Sequence, residues 1–267
     1  MKKLLSIILT ATLALSIVSC GKSAETTITV AATSAPHAEV LEQCKPLLKE
    51  KGYDLDIKVV DDYITPNTAT EDGEVDANYF QHIQYLDDFN EKNGTHLVNV
   101  AAIHYEPFGI YSNSIKSLSE LKDGDSIAVP NDPTNEARAL LLLAENGVIT
   151  LKDGVGIEAT KKDIVSNPKN IEINEMEAAL LPSVLDEVTC AVINGNYAIS
   201  AGLKIADAVA TENSDSLAIT SQYANVLVVK EGNEETDKTK ALKEVLTSDE
   251  ITNYINETYD GAVVPMK

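Results

Sequence analysis

The sequence predicts an α/β fold of two units, each a sheet covered by helices. Short strand-like runs alternate with segments of helical spacing, and this grammar occurs twice along the chain. Once an N-terminal leader is set aside, about 245 residues remain, a length that suits one large domain or two smaller ones.

The elements follow in order. Residues 27–32 are a short β-branched run, 36–51 carry apolar residues at helical spacing, 54–60 alternate as a strand, and 76–92 read as helix again. Pro46 falls inside the first helix and is expected to kink it or mark its last turn. Residues 97–103 and 108–111 read as strand. The second unit repeats the pattern: 125–129 strand, 133–146 helix, 171–174 strand, 178–186 helix, 190–193 strand. One more strand at 225–230 precedes helical segments at 234–246 and 249–259. The alternation argues for parallel sheets, and because no Gly/Ser-rich or Pro-rich linker divides the units, the chain is expected to cross between them on extended strands.

The leader fixes the compartment. Met1-Lys2-Lys3 gives a positive start, 4–15 an apolar run too short to span a bilayer, and Ile17-Val18-Ser19-Cys20-Gly21 a small-residue cleavage site. Residues 1–19 are thus a signal peptide, and the site resembles a bacterial lipobox, which implies diacylglycerol on Cys20 and residues 20–26 as a short tether. The expected location is the extracytoplasmic face of a bacterial membrane.

The formal net charge is −21, spread along the chain, a balance that repels nucleic acid and anionic lipid. Beyond Cys20 only Cys44 and Cys190 remain, both in apolar contexts, and they read as buried small hydrophobes rather than a disulfide. No CxxC and no metal-spaced Cys/His cluster is present, and no cofactor is expected. GxSxG, HExxH and GxxxxGK[ST] are absent, and Gly154-Val155-Gly156 lacks the third glycine of a dinucleotide fingerprint, so an enzyme is not expected.

Two segments stand out. Of 21 Lys and Arg residues only Arg138 is Arg, and a planar fork that grips a carboxylate through two parallel bonds is something Lys cannot supply. Arg138 follows Asn131-Asp132-Pro133-Thr134-Asn135, where Asp132 is a good N-cap and Pro133 fits the first helical position. Asn135 and Arg138, three apart, share a face near that helix terminus. The alternative is a well-capped core helix whose Arg faces water. In the other segment, Tyr79, Phe80, His82 and Tyr85 fall within seven residues of a chain that has three Phe and no Trp. They form either an aromatic box for an apolar or thioether side chain or a stripe of ordinary core.

These segments carry a resemblance. Val60-Asp61-Asp62-Tyr63 with Pro66-Asn67, the run Asp76-Ala77-Asn78-Tyr79-Phe80-Gln81-His82 with Tyr85-Leu86-Asp87, Glu106-Pro107 with Gly109-Ile110-Tyr111-Ser112, Asn131 to Asn135 with Arg138, and Lys152-Asp153-Gly154 resemble, in order over 27–267, the methionine-binding lipoproteins of ABC importers, the MetQ or NlpA family. The resemblance implies a periplasmic-binding-protein fold: two α/β lobes joined by two hinge crossings, near 104–108 and 222–225, with a ligand cleft between them. It divides the chain into 27–106 and 225–267 as one lobe and 107–224 as the other. Carried onto matching positions, Arg138 with Asn135 would hold the ligand carboxylate, Tyr63, Phe80, His82 and Tyr85 would line the side-chain pocket, and Asn194 and Asn225 would supply the remaining polar contacts. The implied partners are L-methionine or a related amino acid, an ABC permease with its ATPase, and the membrane through Cys20. Another amino acid, a short methionine-containing dipeptide, or a surface lipoprotein role without transport stand as alternatives. One departure is visible: many members read Leu-Pro-Arg where this chain has Leu181-Pro182-Ser183.

Overall fold

The computed structural model describes residues 26–213 and 222–266; the signal peptide and Cys20 lie outside the described residues. The first lobe is built on β1 (Thr27–Ala32), β2 (Asp54–Val59), β3 (Ala77–His82) and β4 (Leu97–Tyr105). The second carries β5 (Gly109–Tyr111), β6 (Ser126–Pro130), β9 (Glu172–Met176), β10 (Cys190–Ile193) and β11 (Ala210–Thr211), with β7 (Thr150–Leu151) and β8 (Ile164–Ser166) as a separate pair. The chain then returns, and β12 (Ala224–Lys230) and β13 (Val264–Pro265) complete the first sheet in the order β13-β4-β12-β3-β1-β2. The two crossings therefore lie between Tyr105 and Gly109 and between Thr211 and Ala224.

Neither sheet is purely parallel. In the first, β1 runs parallel to β2 and β3, whereas β12 is antiparallel to both β3 and β4 because it re-enters from the other lobe. In the second, β6 runs parallel to β9 and β10, and β5 and β11 add an antiparallel edge in the order β11-β5-β10-β6-β9. Strands that cross between lobes arrive in the opposite sense to the βα units around them.

Helix α1 (Glu39–Glu50) buries Val40, Leu41, Cys44 and Leu48 against the first sheet and continues past Pro46 for four further residues. Proline here removes one intrahelical bond without ending the helix. The C-terminal helices Asp237–Leu246 and Asp249–Thr258 bring Leu242, Val245, Leu246, Ile251 and Ile255 into the same core as β1 and α1. The second lobe has its own core, where Leu140, Leu142 and Leu143 pack with Ile127, Val129 and Val192. Cys44 and Cys190 are both buried free thiols.

The largest correction concerns residues 76–92, expected to be one helix. Ala77–His82 is strand β3, buried along its whole length between β1 and β12, and only Ile83–Asn93 is helix, here α3. A central strand covered on both faces lacks the polar alternation by which strands are read, so its aromatic density mimicked a helical stripe. A register shift between Val226 and Leu227 leaves Phe80 without a facing residue on β12. Such a bulge re-aims side chains: Tyr79 joins the first core while Phe80 packs with Tyr85, Leu86 and Phe89. The short helix α2 (Thr65–Glu71) had no apolar periodicity to announce it, and the segment expected to be helical at 178–186 is 3₁₀ over Ala178–Val184.

Candidate functional site between the lobes

All eight residues singled out for ligand contact, Tyr63, Phe80, His82, Tyr85, Asn135, Arg138, Asn194 and Asn225, line one cleft with about 330 Å³ of empty space. They come from both lobes. Tyr63 stands in the loop after β2, Phe80 and His82 on β3, Tyr85 in the first turn of α3, and Asn225 on β12; Asn135 and Arg138 face them from α4 (Pro133–Glu145), and Asn194 from the end of β10. Gln81, Glu106, Gly195 and Asn196 complete the lining and had been given no role. Ser183, by contrast, is exposed on the 3₁₀ segment and bonds the Leu180 carbonyl.

Asp132 caps α4 as its sequence suggested, accepting from the Asn135 backbone N–H at 3.0 Å. The same carboxylate takes the Asn135 Nδ2 at 2.9 and 3.0 Å, so that amide's donor end is committed away from the cleft. Its Oδ1 accepts twice, from His82 Nε2 at 3.1 Å and from Asn194 Nδ2 at 2.9 Å. His82 takes the Tyr85 N–H on Nδ1, which places its proton on Nε2 and makes this imidazole a fixed donor across the cleft. Asn135 is therefore the knot that ties β3 to the second lobe, rather than an open carboxylate donor.

Arg138 does not face water. It is 4% exposed, with Nε 2.7 Å and Nη2 2.6 Å from the two oxygens of Glu212, and Nη2 also 2.8 Å from the Glu106 carbonyl. The guanidinium is stacked between Phe108 and Tyr223, 4.6 and 4.3 Å from the ring centroids. The bidentate grip that only Arg can make is thus spent on Glu212, and Nη1 is the nitrogen left without a partner among the described residues. Arg138 in turn holds the Glu212 carboxylate below the usual range despite its burial.

Glu106 is the one carboxyl group in the cleft lining. Burial pushes its carboxyl above the ordinary 4.5, against the pull of His37 and Arg138. Gly195 sits so close that a Cβ there would lie 2.6 Å from Glu106 Cβ and 2.7 Å from Oε2, which is why this turn at the head of helix α5 (Gly195–Ser200) needs glycine. On the aromatic side, Tyr63 stacks on Tyr197 at 5.1 Å and lies 5.8 and 5.6 Å from Phe80 and Tyr85, while its hydroxyl donates to Asn196 Oδ1 at 2.6 Å. Among the described residues, two buried amide atoms have no partner, Asn194 Oδ1 and Asn196 Nδ2. Orphaned buried polar groups cost free energy unless something completes them, so one acceptor and one donor wait in this cleft.

The arrangement suits a small zwitterion with an apolar tail. Glu106 and Asn194 Oδ1 accept, Arg138 Nη1 and Asn196 Nδ2 donate, and Tyr63, Phe80 and Tyr85 form the apolar wall.

A model of the NlpA lipoprotein family matches residues 28–267. The chain belongs to the NlpA lipoprotein family. It is 45% identical to the methionine-binding lipoprotein MetQ of Bacillus subtilis (strain 168), covering 92% of this chain and 90% of that one. A lipoprotein structure from Ruminococcus gnavus ATCC 29149 superposes with a TM-score of 0.89 at 58% identity, over 91% of this chain and all of the other. A nutrient binding protein from Burkholderia cenocepacia, solved bound to methionine, does so at 0.86 and 39%, over 90% of this chain and 100% of that one. The fold of this NlpA lipoprotein is accordingly of the periplasmic-binding-protein type. None of its described helices is long and apolar enough to cross a membrane.

Burial holds three imidazoles of the chain far below the ordinary 6.5: His37 at about 4, His82 at about 3 with Arg138 adding to the effect, and His104 at about 3. Because the folded values are depressed, the unfolded chain binds protons first, and stability is lost as pH falls from 6.5 toward 4. Each imidazole contributes up to about 1.4 kcal/mol per pH unit in that window, offset in part by the raised carboxyls of Glu106 and Asp132. The ligand-free protein is expected to lose about 2–3 kcal/mol between pH 6.5 and 5.5, read as a fall of roughly 5–10 °C in melting temperature. A flat melting temperature across that range would show that these rings charge freely in the folded state.

Proposed function

We propose that this chain is a lipid-anchored extracytoplasmic substrate-binding protein that captures methionine between its lobes and delivers it to an ABC importer, a permease with its ATPase. The observation that carries this reading is the pair of orphaned amide atoms of Asn194 and Asn196, set in a cleft that opposes Glu106 to Arg138 and is walled by Tyr63, Phe80 and Tyr85. The ligand's ammonium meets Glu106 and Asn194 Oδ1. Its carboxylate meets Arg138 Nη1, Asn196 Nδ2 and the Asn225 amide, and its thioether packs on the aromatic faces, where sulfur is favoured. The relatives named for methionine support the choice of side chain. Binding from both lobes favours the closed state through its differential contacts.

Calorimetry of the soluble domain tests this. L-methionine is expected to bind about tenfold more tightly than leucine, whose branched chain fits an unbranched slot poorly, and more than hundredfold more tightly than lysine or glutamate, whose charge would be desolvated. A preference for a charged or very small amino acid would return the aromatic residues to plain core. Beyond Tyr63 and Tyr85 a wider space of about 960 Å³ adjoins the cleft, so a methionine-containing dipeptide belongs in the same titration.

The anchor has its own test. Because two acyl chains are needed for stable membrane retention, Cys20→Ala is expected to move the protein from the membrane into the soluble fraction. Membrane retention of that variant would refute the lipid anchor.

A further inference from the structure

Behind the cleft stand two buried imidazoles, His37 and His104, that are not part of its lining and lean on two residues that are, Glu106 and Asn225. His104 Nε2 is 2.7 Å and His37 Nε2 3.4 Å from the same oxygen of Glu106, and His37 Nε2 is also 3.1 Å from Asn225 Oδ1. Each ring is held at its other nitrogen by a hydroxyl, Thr33 Oγ1 at 2.8 Å on His37 and the Tyr79 hydroxyl on His104. His37 and His104 are 1% and 0% exposed.

The proton positions follow from the partners. His37 Nε2 faces only acceptors, so it carries the hydrogen, and its Nδ1 accepts from Thr33. The same reasoning puts the His104 proton on Nε2 and makes the Tyr79 hydroxyl its donor. Every hydrogen therefore runs inward toward Glu106. Anchoring Asn225 through Oδ1 also turns its Nδ2 toward the cleft that it lines. The three ligand-type atoms lie within 4.8 Å of one another, a spacing that invites comparison with a metal site. Zinc ligands at about 2.0–2.1 Å in a tetrahedron stand roughly 3.3 Å apart, however. The 2.7 Å between His104 and Glu106 is instead the length of a hydrogen bond to a charged acceptor.

We propose that His37 is a positioning residue for the ligand head group: its Nε2–H holds the Asn225 amide so that Nδ2 points into the cleft, while the ring packs 3.4 Å from the Glu106 carboxylate that His104 holds by a hydrogen bond. This rests on the amino-acid reading of the cleft and extends it to a residue outside the lining. Both imidazoles stay neutral near pH 7, so the array is intact under ordinary conditions. Leaving the buried Asn225 Oδ1 without its donor weakens a coupled event roughly fivefold to hundredfold.

Methionine titration of the whole soluble domain, with melting curves for each variant, tests the role. His37→Phe keeps the ring volume and removes the donor, and it is expected to weaken binding at least about tenfold. His37→Gln restores an N–H and should recover most of that loss. In an Asn225→Ala background the same His37→Phe change should cost less than about threefold, because the amide that His37 holds is gone. Should His37→Phe fail to fold, Thr33→Val, which frees the outer nitrogen and leaves the ring in place, is expected to weaken methionine binding about threefold or more. Equal costs of His37→Phe in both backgrounds, or full affinity in Thr33→Val, would overturn the positioning role alone. Binding lost on EDTA treatment and restored by zinc would overturn the hydrogen-bond reading of the array. Absence of methionine binding by the wild-type protein would overturn the amino-acid reading of the cleft and this role together.

Discussion

Replacing Arg138 by Ala is expected to destabilise the ligand-free protein by about 3–5 kcal/mol and to weaken methionine binding from roughly thirtyfold to several thousandfold. The two losses have different origins. Glu212, itself buried, would be left as an uncompensated charge, and the space between Phe108 and Tyr223 would stand empty. The affinity loss comes from Nη1, the donor left for the ligand carboxylate. Arg138→Lys keeps the charge but cannot bridge both Glu212 oxygens and the ligand at once, so it should fall between wild type and Ala on both scales. A double variant, Arg138→Ala with Glu212→Gln, separates the effects: neutralising Glu212 should return much of the stability and none of the affinity. If Arg138→Ala binds methionine within about threefold of wild type while melting early, Arg138 is a structural residue only, since that change is well under 1.4 kcal/mol.

Glu106→Gln is expected to act with the opposite sign on stability. The carboxylate is buried, and its raised pKa says that the folded protein holds the charge at a cost. A neutral amide of the same shape relieves that cost, so the ligand-free melting temperature should stay level or rise. Affinity for methionine should nevertheless fall by on the order of 2–5 kcal/mol, because the ammonium loses its only anionic partner in the lining. A functional group that destabilises its own fold is a common signature of a binding site. Thermal melting and calorimetry on this one variant read both signs, and a variant that melts early and binds normally would place Glu106 in the framework instead.

The outline of the fold was legible because most elements carry their own periodicity: α1, α4, the C-terminal helices and β10 stand close to where spacing put them. Strand β3 was not, since a strand buried on both faces shows no alternation, and its buried polar residues Asn78 and Gln81 are satisfied by Asn67 and Thr70, which local sequence cannot reveal. The eight residues picked for the site do converge on one cleft, through the uniqueness of Arg138, the aromatic density near 80 and the family resemblance. What stayed hidden was partnership. Glu212 lies 74 residues from Arg138 in a stretch without pattern, so the sequence assigns the Arg138 fork to a ligand carboxylate and gives no sign that a carboxylate of the chain itself already occupies it. Asn135 was taken for a ligand donor, when its own helix cap claims the donor end. His37 and His104 sit in an apolar helix turn and an apolar strand, where a lone histidine gives no sign that two of them meet on one carboxylate.

In the proposed binding mode the cleft holds methionine with its carboxylate toward Arg138 and its ammonium toward Glu106. A crystal structure of the soluble domain grown with L-methionine measures this directly. Density is expected for one methionine among Tyr63, Phe80 and Tyr85, the ammonium within hydrogen-bond reach of Glu106 and Asn194 Oδ1, and the carboxylate on Arg138 Nη1 and Asn196 Nδ2. A cleft without methionine at saturating concentration, or a methionine bound with its ammonium facing Arg138, would contradict it.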